Sequence, residues 1–246
     1  MSELFTTENL IAFLTLTVLE IVLGIDNLVF ISILTAKLEP ARQSSARKIG
    51  LFLAMIMRIL LLMAIGWVMG LTKPLFSMLD VDITGRNLIL LVGGIFLIGK
   101  ATFEIHEKVT DLREHHETKG ASASFKATII QIVLLDAVFS LDSVITAVGM
   151  ADRIEIMIAA VLLSVGAMMI FADRVSAFIE KNPTLKVLAL SFLILIGVLL
   201  VADGFGQHLN KGYVYFAMAF SLAVEMLNMK LRNKRKNSQP PTSTPA

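Results

Sequence analysis

Seven stretches of the chain are apolar with few interruptions: about 10–34, 50–71, 87–104, 126–149, 154–172, 185–202 and 213–229. Each is near the roughly 20 residues that a helix needs to cross about 30 Å of hydrocarbon. None shows the ten-residue alternation of a barrel strand, and backbone facing lipid must satisfy its own hydrogen bonds, so each is expected to be a helix. The largest polar interruption, Ile105 to Ser124 (IHEKVTDLREHHETKGASAS), divides the chain into halves. The pattern predicts an all-α polytopic transmembrane bundle of about seven spans. Its parts are an outer amino terminus (1–9), a first three-helix unit (10–104), a polar linker (105–125), a second three-helix unit (126–209), a seventh helix (210–230) and a basic tail expected to be disordered (231–246).

Lysine and arginine fall unevenly between the ends of these spans. With the amino end outside, the inward segments hold seventeen of them, whereas the outward side holds four: Lys73, Arg86, Arg153 and Lys211. Basic residues are retained on the cytoplasmic side. The expectation is a multi-pass protein of the bacterial inner membrane, amino terminus outside and carboxyl terminus in the cytoplasm. Met1 to Asn9 carries Glu3 and Glu8 and no basic residue. A signal peptide begins with positive charge and has a shorter apolar region, so the first stretch is expected to stay as a span.

Composition agrees with the pattern. Hydrophobic residues make up 56%, charged residues 17%, and the mean hydropathy is +0.77, against about 45–50% and about 25% in soluble domains. A net charge of +2 gives no reason to expect nucleic acid as a partner. With no cysteine there are no disulfides, zinc–thiolate sites or thiol catalysis. The thirteen methionines read as packing residues. His115 and His116 sit in the acidic linker and read as solvated, as does His208 in a loop.

The first and fourth stretches repeat one another. Leu19-Glu-Ile-Val-Leu-Gly-Ile-Asp-Asn27 aligns without gaps on Leu135-Asp-Ala-Val-Phe-Ser-Leu-Asp-Ser143: acid, five residues, acid, then a small amide or hydroxyl. The third and sixth match more loosely, through Phe96 to Gly99 and Ile196-Gly197, followed by the acids Glu104 and Asp203. Three is an odd number, so a unit of three spans repeated once places its copies in opposite orientations. Inverted repeats of this kind build secondary transporters with a site near the midplane.

A carboxylate at bilayer centre costs about 2.5–3.5 kcal/mol on insertion scales and is seldom there without a partner or a task. Glu20, Asp26, Asp136 and Asp142 occupy the middles of two spans, and Arg58 is the one basic residue in the middle of a span. One arginine cannot neutralise four acids, so a bound cation or protons must supply the difference. Glu20 and Asn27, seven apart, share a helix face, as do Asp136 and Ser143. Gly24 and Ser140 lie between the paired acids. A break there would turn both acids into one cavity; equally, Gly24 serves close helix packing. The candidate metal ligands are therefore Glu20, Asp26, Asn27, Asp136, Asp142 and Ser143, with Arg58 as counter-ion and Glu225 at the inner mouth of a pathway. Oxygen ligands of this kind suit magnesium, calcium or manganese rather than zinc or copper.

EIVLGIDNLVFIS at 20–32, LLDAVFSLDSVITAVGM at 134–150 and KGYVYFAMAFSLAVEMLN at 211–228 resemble the TerC family of integral membrane proteins. The resemblance runs over about residues 10–230. It implies a metal-handling membrane protein in a family named for tellurium resistance, some members of which are assigned manganese export. It also implies that Asp26 with Asn27 and Asp142 with Ser143 fall on the family's metal-site motifs. The large soluble domains of longer relatives are absent from the residues given.

The leading expectation is a non-enzymatic transporter that exports a divalent ion, manganese favoured, by alternating access of two inverted units. It carries no cofactor beyond that substrate, and protonation of the acids would aid release. A non-transporting scaffold in metal or tellurium stress resistance is a second reading, separable by cellular metal content. An intramembrane aspartyl protease is a third, but Asp26 follows Ile25 and Asp142 follows Leu141, so the Gly-Asp and Tyr-Asp signatures are missing.

Overall fold

The computed structural model of the protein describes residues 6–78, 81–114, 124–148, 153–207 and 209–238. Within them the order is α1 (Thr7–Thr35), α2 (Pro40–Met63), α3 (Ile65–Gly70), β1 (Pro74–Met78), β2 (Val81–Thr84), α4 (Gly85–Glu114), α5 (Phe125–Val148), α6 (Ile154–Lys181), α7 (Pro183–Gly204) and α8 (Lys211–Ser238). Among the described residues six helices are long and apolar enough to cross a bilayer: α1, α4, α5, α6, α7 and α8. The protein is a polytopic helical membrane protein.

Local chemistry sets several ends. The Thr6 hydroxyl accepts from the Asn9 N–H at 3.2 Å and caps α1. Pro40 and Pro183 open α2 and α7, where a missing N–H costs nothing. On α1 the exposed Leu14, Val18, Val22 and Ile25 form a face for lipid. Leu16, Glu20, Gly24, Asn27 and Ile31 form the buried one. On α5 the buried Ile132, Asp136, Ser140, Ser143 and Ala147 follow the same spacing.

The structure departs from the sequence pattern in four places. The second predicted span, 50–71, is split at Ala64 into α2 and the short α3, whose Gly66 and Gly70 are poor helix formers. β1 and β2 pair antiparallel as a hairpin where a plain loop was expected. Its short alternating strands lie too close together for the span-length pattern to reveal. Helix α4 runs ten residues into the predicted linker, because Lys100 and Glu104 pair at i,i+4 and Lys37 anchors Glu104 and Glu107. The tail is helical through Ser238 rather than disordered from 231: lysine and arginine are good helix formers even without an apolar face. His115, His116, His208 and residues 239–246 lie outside the described residues.

Residues 1–209 form one compact unit and 210–246 another, in which α8 is the one helix among the described residues. In the first unit the main pairings are α1 with α6, α2 with α5 and with α6, and α4 with α7. Exchanging α1, α2 and α4 with α5, α6 and α7 respectively leaves this scheme unchanged. Asn27 meets Asp136 while Glu20 and Ser143 line one cavity, so α1 and α5 run antiparallel. Ser44 and Arg47 meet Asp173 while Leu62 lies near Met157, so α2 and α6 do too. Gly204 abuts Asn87 and Gly197 abuts Ile98, which makes α4 and α7 the third antiparallel pair.

The α4–α7 seam depends on bare backbone. A Cβ on Gly94 would stand 2.7 Å from the Gly197 carbonyl oxygen, and one on Gly197 would stand 3.0 Å from that of Gly94. Small residues let helices approach this closely in lipid, where packing replaces the hydrophobic drive between helices. Gly94→Leu is expected to cost about 1–3 kcal/mol through overpacking. It should lower the melting temperature of detergent-purified protein, whereas Gly166→Ala, with nothing within 4 Å, should not. Equal melting of the two variants would contradict the seam.

Candidate functional site

The centre of the first unit is polar because three helices each bury one charged side chain there. Glu20 of α1, Arg58 of α2 and Asp136 of α5 are 4%, 3% and 4% exposed. The Arg58 guanidinium grips both oxygens of Asp136, Nη2 to Oδ1 at 2.6 Å and Nε to Oδ2 at 3.2 Å, and its Nη1 donates to Glu20 Oε2. This is the bidentate geometry that arginine offers and lysine does not. The Asn27 amide donates to Asp136 Oδ1 at 3.1 Å and the Ser140 hydroxyl to Oδ2 at 2.9 Å. Asp136 thus accepts from four donor atoms on α1, α2 and its own helix. Beside them lies a cavity of about 10 Å³ bordered by Glu20, Arg58 and Ser143, room for about one water molecule. Two carboxyl groups thus share one guanidinium at the centre.

A second ion pair lies toward the carboxyl end of α5. Arg86, in the first turn of α4, reaches Asp142 Oδ1 at 2.5 Å, each side chain 16% exposed. α4 passes α5 antiparallel here, with Gly93, two turns on from Arg86, against Val138, one turn back from Asp142. The expectation that Arg58 alone faces the acids is therefore corrected: Arg86 serves Asp142. Its hydropathy places Arg86 in a loop, and only the pairing of α4 with α5 carries it to the acid.

Two further networks tie the opposite ends of the helices. Lys37, in the turn between α1 and α2, bridges Glu104 at 2.8 Å and Glu107 at 2.6 Å, and Lys100 reaches Glu104 at 2.9 Å. Burial works against the Lys37 charge, but its bonds to Glu104 and Glu107 outweigh burial and hold its pKa above the usual lysine value. Asp173 of α6 accepts from Ser44 at 2.9 Å and Arg47 at 3.0 Å, with Lys48 at 3.4 Å. Arg174, at the same offset from the repeat as Arg58, lies instead over the Phe171 ring at 6.0 Å.

Of the residues singled out in the sequence, Glu20, Asn27, Arg58, Asp136 and Ser143 come together around the central ion pairs and the adjoining cavity. Asp142 pairs apart from them with Arg86. Glu225 lies on α8, in the unit described by itself. Asp26 lies on α1, but its side chain is outside the described residues. The helices run unbroken through Gly24 and Ser140; Gly24 instead packs against the Met168 side chain. Among the described residues no group of three or more His, Asp or Glu is disposed to hold a metal ion. At the centre two acids, Glu20 and Asp136, come together, and Arg58 bonds both.

The sequence profile of the Integral membrane protein TerC family matches residues 5–239. A UPF0053 protein of Haemophilus influenzae is 50% identical over 230 residues, which cover 93% of this chain and 97% of that protein. The UPF0053 inner membrane protein YgdQ of Escherichia coli K12 is 53% identical over 221 residues, 90% of this chain and 92% of the relative. The UPF0053 inner membrane protein YoaE of the same organism is 52% identical over 220 residues, covering 89% of this chain and 42% of its own longer one. No solved structure matches the chain.

Proposed function

The chain belongs to the TerC family of integral membrane proteins, and from that premise we propose that it is a transporter that exports a divalent metal ion, manganese first among them. One observation carries this reading. Two carboxylates, Glu20 and Asp136, stand at matching positions of a repeated motif on two antiparallel helices, almost wholly buried in a bundle built for lipid. Burying acids in lipid is costly, and hard oxygen ligands suit a hard divalent ion.

In this reading residues 10–104 and 126–209 are inverted repeats, supported by the three antiparallel helix pairs and the exchange-symmetric packing. Rocking of one repeat against the other opens the centre to each side in turn. The ion enters from the cytoplasm past Asp26, is held by Glu20 and Asp136 with Asn27 and Ser143, and leaves past Asp142. The membrane is the bacterial inner membrane, as the names of YgdQ and YoaE have it for those relatives. The seventeen-to-four distribution of basic residues supports an amino terminus outside. The native chain lacks cysteine, so a single cysteine at Gln207 should react with an impermeant thiol reagent on intact cells and one at Glu39 should not. The opposite pattern would reverse the topology.

The deciding measurement is flux. Purified protein in proteoliposomes should move Mn²⁺ above the rate of protein-free vesicles, with Mg²⁺, Ca²⁺ and Zn²⁺ as the comparison panel. Absence of flux for every ion would leave the scaffold reading. One observation favours that reading: Arg58 and Arg86 together engage three of the four acids, as a purely structural network would.

A further inference from the structure

Arg58 sits where the transported ion is expected to sit. Its guanidinium touches both acids of the central pair, one from each half of the chain, and takes both oxygens of Asp136. Asn27 and Ser140 direct hydrogens at the remaining lone pairs of Asp136. A hard divalent ion needs about six or more oxygens at roughly 2.0–2.6 Å. The adjoining cavity of about 10 Å³ offers room for one water molecule, not for an ion with its ligands. Metal and guanidinium cannot share these oxygens, because both are cations that need the same lone pairs.

The arginine is also unmatched. Helix α6 packs along α1 beside Glu20 as α2 packs along α5 beside Asp136, yet between Arg153 and Arg174 it carries no lysine or arginine. A single cation therefore serves two equivalent acids from two helices, as a metal ion would.

We propose that Arg58 is a tethered counter-cation that exchanges with the metal during transport: metal binding displaces the guanidinium from Glu20 and Asp136, and its return expels the metal. This rests on the transport reading above and adds to it. The described arrangement is then the metal-free one, in which the guanidinium stands against both acids in the metal's place. An empty carrier of this kind can change its facing direction without burying two bare carboxylates.

The test sets binding against flux. A residue that only braces the bundle would, when replaced, weaken both. A competing cation would, when removed, let the metal bind more tightly while slowing its release. Mn²⁺ binding is measured by calorimetry on purified native, Arg58→Gln and Arg58→Lys protein in lipid nanodiscs, and Mn²⁺ flux on the same proteins in proteoliposomes. Arg58→Gln is expected to bind at least tenfold more tightly than native protein and to transport at least tenfold more slowly. Lysine, a point charge without the fork, competes less well than arginine, so Arg58→Lys should bind Mn²⁺ at least threefold more tightly than native. It decides the question should the glutamine variant not fold. Unchanged or weaker binding by the deciding variant overturns the exchange, and so does tighter binding by Arg58→Gln with undiminished flux. A native protein that neither binds nor moves Mn²⁺ overturns the transport reading itself, an outcome distinct from all of these.

Discussion

Asp136→Ala is expected to leave much less folded protein in the membrane than the native chain, with a sharply lower melting temperature in what remains. Asp136 accepts from Arg58 twice, from Asn27 and from Ser140. Alanine strands all of these donors at once in a site only a few per cent exposed. Breaking a buried ion pair by deleting one partner costs about 3–5 kcal/mol; here Arg58 keeps its bond to Glu20, so the loss comes from the guanidinium hydrogens, the Asn27 amide and the Ser140 hydroxyl left without an acceptor. That is a large part of the roughly 5–15 kcal/mol that holds a typical domain together. The costs of the stranded donors do not simply add, since they share one acceptor. Asp136→Asn keeps the shape and one acceptor oxygen, so it should fall between alanine and native, and Asn27→Ala should cost about 1 kcal/mol. Thermal melting in detergent, with the yield from isolated membranes, checks the order. A melting temperature for Asp136→Ala equal to native would show that the network contributes nothing to the fold.

The helices were legible from the sequence because lipid imposes a length. Segments 126–149, 154–172 and 185–202 become α5, α6 and α7 with ends shifted by at most a few residues, except where α6 continues to Lys181. The shared face of Glu20 and Asn27, and that of Asp136 and Ser143, follow from helix geometry alone and are buried as expected. Chain extensions past the hydrocarbon were not legible: in α4 beyond Glu104 and α8 beyond 230, apolar periodicity has ended and charged residues with good helix propensity carry on.

Charge pairing was the least legible feature, for a physical reason. Burial of an acid is a local matter that hydropathy detects, but the partner of that acid is set by which helices lie side by side. Arg58 stood out because it lies in an apolar run. Arg86 did not, because it follows the hairpin strand β2 by two residues and looks like any loop cation. The antiparallel passage of α4 along α5 delivers it to Asp142, 56 residues away. The same applies to Lys37 and Glu104, which lie 67 positions apart in number and 2.8 Å apart in space.

Asp142→Asn and Asp26→Asn are each expected to reduce manganese efflux at least tenfold without loss of protein from the membrane. Asp142 differs from Asp136 in what surrounds it. Its side chain and that of Arg86 keep 16% of their surface exposed, more than the central pair, and asparagine keeps an oxygen that can accept from Arg86, so stability should change less than at Asp136. Function should change far more. A charge-assisted contact to a passing cation contributes about 1.5–3 kcal/mol, and every 1.4 kcal/mol is about a tenfold change. Asn keeps the size and polarity of the side chain while removing the charge, so a loss of efflux at matched membrane levels reports electrostatics rather than packing. Asp26, at the matching place in the first copy of the motif, should respond in the same direction. His115→Ala with His116→Ala should leave efflux unchanged, since that pair belongs to the polar linker. The readout is the manganese content of manganese-challenged cells that lack their own copy of the protein and express each variant. Should both asparagine variants lower cellular manganese as well as the native chain does, these two carboxylates lie off the path and the route proposed past them is wrong.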